Sequence, residues 1–131
     1  MGSPARDLMD YLISAGLGTA GDTFYLDRGP ADPKKIVAIV RDSGTWRPAN
    51  DSTKEYYPNV QILVRGTRGA NKGIWNFCVQ IRDALISIRP MSINGSWYGG
   101  VMCRSGPASI GPDESDRPVY SINFNLIRGT N

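Results

Sequence analysis

The sequence predicts an α+β fold: a mostly antiparallel sheet with two helices packed on one face, in the order α-β-β-β-α-β-β-β. Two segments repeat their apolar residues at helical spacing, and several others alternate apolar and polar residues as half-buried strands do. An Asn94-Gly95 pair between two strand-like runs marks a hairpin. Helices and strands come in separate groups rather than in strict alternation, which favours helices laid on an antiparallel sheet over a parallel α/β fold.

The first helix begins at Ser3-Pro4, a capping residue followed by proline at the first helical position. Leu8, Tyr11, Leu12 and Ala15 form its apolar stripe, Asp7 and Asp10 lie toward the positive end of its dipole, and Gly16 ends it. A short strand follows around Thr23–Leu26, then a stronger one in KKIVAIVRD, whose unbroken apolar run predicts burial on both faces. Residues 42–57 read as a long polar loop that carries the large aromatics Trp46, Tyr56 and Tyr57. In NVQILVRG the residues Val60, Ile62 and Val64 alternate with Gln61, Leu63 and Arg65. TRGAN breaks that strand, and a second helix runs from about Asn71 to Ser87 with Ile74, Phe77, Cys78, Ile81, Ala84 and Leu85 on one stripe. The hairpin MSINGSWYGGVMCR, a loop GPASIGPDESDRP and a last strand VYSINFNLIR complete the chain.

The chain of 131 residues fits one domain, expected to span 1–131, and its 40% hydrophobic and 21% charged residues are ordinary globular usage. No apolar run reaches the roughly 20 residues of a membrane span, and MGSPARDLMD lacks the layout of a signal peptide. An intracellular chain with no membrane partner is therefore expected. The net charge of +3 is uneven: residues 1–65 hold eight basic and eight acidic residues, and residues 66–131 hold seven and four, six of the seven being arginine. That tilt falls short of a dedicated nucleic-acid stripe and suits arginine-bearing protein interfaces.

There is no histidine, which removes most zinc sites, the Ser-His-Asp and Cys-His nucleophile systems and the commonest general base. Two cysteines are too few for a disulfide framework: Cys78 reads as a core residue, and a Cys78–Cys103 bridge does not suit a reducing compartment. RGTRGANKG lacks the spacing of either nucleotide-binding fingerprint. Asp113, Glu114 and Asp116 lack the ligand positions of a calcium loop and read as a solvated turn. No catalytic residue, cofactor site or metal site is assigned, and the chain is not expected to be an enzyme. The last strand says more. Tyr120, Ile122, Phe124 and Leu126 line one face; Ser121, Asn123 and Asn125 line the other with short uncharged groups, suited either to water or to a close polypeptide neighbour.

Three stretches carry a family resemblance: AGLGTAGDTFYLDRGPADPKKIVAIVRDSG, YYPNVQILVRGTRGANKGIWNFCVQIRDAL and GPASIGPDESDRPVYSINFNLIR. Their ordered features are a helix ending in Gly, a Gly-Asp step, a proline-containing lead into a strand, and Gln61 with Arg65 on an alternating strand. A second helix follows, and then a turn with Pro107, Gly111, Asp113, Glu114 and Arg117 before a strand holding Asn123-Phe124. In this the chain resembles the small tail terminator proteins of long-tailed phages, also known as tail completion or minor capsid proteins. Two positions depart from the family habit: only Gly44 remains of the glycines that often flank the loop after the second strand, and Asp116 stands where a glycine usually precedes the turn arginine.

The resemblance implies a structural virion protein, assembled in the host cytoplasm, that forms a homo-oligomer, expected as a hexameric ring, at the head-proximal end of the tail. The implied partners are the major tail tube protein, whose polymerisation the ring stops, and a head-completion or neck protein; dsDNA in the lumen makes non-specific contact. The candidate subunit or partner interface comprises Trp46, Tyr56, Tyr57, Arg65, Arg82, Asp113, Glu114, Arg117, Ser121, Asn123 and Asn125. The aromatics of the 42–57 loop either reach a neighbour or fold back on their own chain. The alternatives are a head-side neck (head-closure) component and, given a pI of about 9.0, a small nucleic-acid-binding module.

Overall fold

The structure is a computed structural model that describes residues 3–30, 35–46 and 55–129. Helix α1 spans Pro4–Ser14 and is followed by strands β1 (Phe24–Leu26), β2 (Val37–Trp46) and β3 (Glu55–Arg65). Helix α2 (Asn71–Ile86) then leads to β4 (Met91–Ile93), β5 (Ser96–Pro112) and β6 (Pro118–Gly129). The six strands form one sheet in the order β1-β2-β3-β6-β5-β4. Every neighbouring pair is antiparallel except β1 and β2, which run parallel. The fold is thus α+β with a mostly antiparallel sheet.

Local chemistry sets the helix ends. The Ser3 hydroxyl accepts the Arg6 amide at 3.1 Å, and Asp42 Oδ1, from β2, accepts the Ala5 amide at 3.0 Å. Two of the amides that a helix N-terminus leaves open are satisfied in this way. Gly16, just past the helix, adopts a left-handed φ of 86° that a residue with a Cβ resists. At the β4–β5 turn Asn94 and Gly95 both have positive φ, 52° and 83°, as a two-residue hairpin needs.

Strand alternation divides the sheet into two faces. One carries Ala38, Val40, Val60, Ile62, Val64, Ile122, Phe124 and Leu126, which form a single buried cluster with Leu8 and Leu12 of α1 and with Ile74, Cys78, Ile81 and Leu85 of α2. Fully burying a side chain of this size contributes about 1.5–3 kcal/mol. The other face carries Ile39, Leu63, Arg65, Gln61, Asn59 and Tyr57, then Val119, Ser121, Asn123 and Asn125 across the register. Among the described residues no helix covers that face. Val37, Ala38, Ile39 and Val40 are all buried, as their unbroken apolar run required.

In two segments expected from sequence to be loops, the described residues are instead largely strand. Residues 42–46 and 55–57 extend β2 and β3: Gly44 pairs with Asn59, Thr45 with Pro58 and Trp46 with Tyr57, after a register shift between Asp42 and Gly44. Gly44 absorbs the shift at a φ of 142°. Residues 47–54 lie outside the described residues. The 106–118 segment likewise remains strand as far as Pro112, because Gly106 (φ 90°) and Gly111 (φ 91°) take the strain of successive register shifts along β5. Cys78 and Cys103 are both free thiols, and burial pushes Cys78 up to about 12.

Candidate partner interface

Eight of the eleven candidate interface residues lie on the uncovered sheet face or in the β5–β6 turn at its end. Tyr57, Ser121, Asn123 and Asn125 lie on the face, Arg65 lies at its edge, and Asp113, Glu114 and Arg117 form the turn. Arg82 stands apart, half-buried on α2, where it pairs with Asp83 at 3.2 Å. Trp46 and Tyr56 lie on β2 and β3, and their side chains are outside the described residues. Ser121 is buried rather than presented to a neighbour. Its backbone lies directly under β5, where a Cβ added at Gly106 would come within 2.3 Å of the Ser121 carbonyl oxygen.

The turn closes on itself through Asp113. Its Oδ1 accepts the amides of Ser115 and Arg117, each at 2.9 Å, and its Oδ2 accepts Arg117 Nε at 2.8 Å. Its amide donates to the Arg117 carbonyl at 3.0 Å. Desolvation alone would raise the Asp113 carboxyl; the two amides and the Arg117 guanidinium outweigh it and hold the group below its ordinary value. Asp116, where the family usually has glycine, occupies a φ of 60°, a conformation that aspartate tolerates better than most residues. Its carboxylate lies 3.0 Å from Arg68.

Arg65 approaches the same carboxylate from β3, with Nη1 3.8 Å from Asp113 Oδ2, while Nη2 donates to the Pro30 carbonyl. Two guanidiniums therefore share one carboxylate, in a site from which Arg65 Nε and Arg117 Nη1 find no hydrogen-bond partner. Burial, then the nearby Arg117 charge, lowers the Arg65 pKa against the opposing pull of Asp113. Ile39, Leu63, Ile110 and Val119 wall a groove of about 260 Å³ over this cluster.

A second groove, of about 340 Å³, lies further along the face and is lined by Tyr57, Asn59, Met102, Arg104 and Asn125. Beside it Arg41 Nε donates to Gln61 Oε1 at 2.8 Å, and Asn123 Nδ2 donates to Ser105 Oγ at 3.0 Å. Ile110 escaped the sequence reading because GPASIGPDESDRP reads as a loop, and Met102 and Arg104, within the strand-like end of MSINGSWYGGVMCR, were not assigned to a face. Carrying the alternation of VMCR across Gly106 would have placed them on this face.

The surface offers grooves, arginines, amides and exposed methionine and isoleucine side chains, a composition typical of polypeptide contact. Among the described residues no group of three or more His, Cys, Asp or Glu side chains is placed to hold a metal, and no helix is long and apolar enough to cross a membrane.

No curated protein matches the sequence. Among solved structures, a chain of the virion of a native gene transfer agent particle shares the fold with a TM-score of 0.78 at 11% identity, the match covering 98% of this chain and 96% of that one. Another solved chain matches with a TM-score of 0.55 at 12% identity, covering 98% and 99%. The family described as bacteriophage tail terminator protein matches residues 11–129. That match takes in both helices and all six strands except the first two turns of α1, and the chain belongs to the bacteriophage tail terminator protein family.

Proposed function

We propose that this protein, acting as one domain over residues 1–131, is a ring subunit, expected as a hexamer, at the head-proximal end of a phage tail tube. The ring stops tube polymerisation, offers its free surface to a head-completion or neck protein, and encloses a lumen through which dsDNA passes. Its role is structural, not enzymatic. The family match over residues 11–129 carries this reading. The likeness in fold to a chain of a gene transfer agent virion supports it, as does a sheet face that no helix among the described residues covers.

Negative-stain imaging of the purified protein mixed with tail tubes tests the proposal. Rings on one end of each tube are expected; bare tube ends beside free protein would contradict it. Co-purification with empty heads and not with isolated tails would instead favour a head-side neck component.

A further inference from the structure

Resting on the ring reading, we propose that the β5–β6 turn of one copy seats in the Tyr57–Met102–Arg104 groove of the next, with Glu114 of the turn set against Arg104 of the groove. Each half of this contact joins an exposed apolar side chain to a charge that no described residue of its own chain answers. On the uncovered face Arg41 is held by Gln61, and Arg65 by Pro30 and Asp113. Arg104 is exposed and has no hydrogen bond or ion pair among the described residues. Met102, 53% exposed, lies beside it in the same groove. In the turn Asp113 is committed to Arg117, and Asp116 to Arg68. Glu114 is exposed and likewise without a partner among the described residues, and Ile110, 57% exposed, lies four positions before it.

The two charges do not answer each other within one copy. Arg104 and Pro112 lie eight positions apart along β5, and at the rise of a strand that is roughly 25 Å. An acidic, apolar-shouldered turn and a basic, apolar-walled groove at separate places on one molecule are complementary to each other and not to themselves. Such a pair joins copies head to tail, the arrangement that closes into rings.

The test uses charge reversal on the full chain, read by native mass spectrometry with circular dichroism as the check on folding. R104E gives a copy whose groove and turn are both acidic; E114R gives one whose groove and turn are both basic. Where the wild-type chain is mostly assembled, each variant alone is expected to run as monomer, its apparent dissociation constant raised at least about tenfold by like charges across the contact. Mixed one to one, the two should reassemble into species holding equal numbers of each. Assembly of either variant alone at the wild-type level overturns the proposal, as does a mixture of folded variants that stays monomeric. A wild-type chain that is monomeric throughout also overturns this contact, while tube capping is decided separately by the imaging above.

Discussion

Asp7 and Arg128, 121 positions apart in the chain, form an ion pair at 3.3 Å in which the side chains are 0% and 3% exposed. The pair ties the first helix to the end of the last strand. Asp7 also accepts the Tyr98 hydroxyl and Asn94 Nδ2, the latter at 3.0 Å, while Arg128 Nη2 donates to Ser96 Oγ at 2.7 Å. The Arg128 guanidinium carbon lies 5.5 Å from the centre of the Tyr98 ring.

A buried pair of this kind is costly to break from one side, because the remaining charge stays desolvated. Asp7→Ala is expected to destabilise the protein by about 3–5 kcal/mol. Replacing both partners with apolar residues, as in D7L/R128M, should cost clearly less than Asp7→Ala. Urea denaturation curves on the three proteins check the order; equal losses for the single and double variants would contradict it.

The β5–β6 turn should give the protein an acid-sensitive term. The Asp113 carboxyl is held below its unfolded value, so its stabilisation is complete above the ordinary carboxylate pKa of about 4 and is lost as pH falls through the depressed folded value. Asp113→Asn should lower stability near neutrality and flatten the part of the acid limb below about pH 4 that this residue supplies. Denaturation midpoints measured from neutral pH down to about pH 2 in both proteins give the comparison.

Gly106 is expected to tolerate no side chain. Its φ of 90° disfavours any Cβ, and the Ser121 carbonyl oxygen would lie 2.3 Å from one. Gly106→Ala should cost at least about 1–3 kcal/mol, through strain and displacement of β5 from β6. By contrast Gly16→Ala, where φ is 86° but nothing lies within 4 Å, should cost about 1 kcal/mol. A thermal melt of each variant separates the two effects.

Cys78 should be silent to thiol reagents in the folded protein, since burial pushes it up to about 12 and only the thiolate reacts. Labelling at pH 8 with and without denaturant, located by mass spectrometry, should show Cys78 modified only on unfolding.

The sequence disclosed what is periodic and local. The stripe of Leu8 and Leu12, the run Val37–Val40, the alternation of Val60, Ile62 and Val64, and the Asn94-Gly95 turn each fold as their spacing dictates. It hid what depends on distant partners. Asp7 reads as a helix-dipole residue until Arg128, at the far end of the chain, is brought beneath it. Gly, Pro and Ser in 106–112 read as part of a loop, because a strand that bulges repeatedly against a long partner loses its alternation. Asp113, Glu114 and Arg117 were legible as a local turn, whereas the groove of Met102 and Arg104 depends on the pairing of β5 with β6 and β3 and was not.

A ring that caps a growing tail tube must arrest its elongation, and elongation in the presence of this protein is the decisive experiment. Tube protein is polymerised with increasing amounts of this protein, and tube lengths are measured by electron microscopy. Elongation is expected to stop at substoichiometric ratios to tube protein, with one ring at each arrested end. Tubes that grow to the same length distribution at every ratio, with no density at their ends, would contradict it.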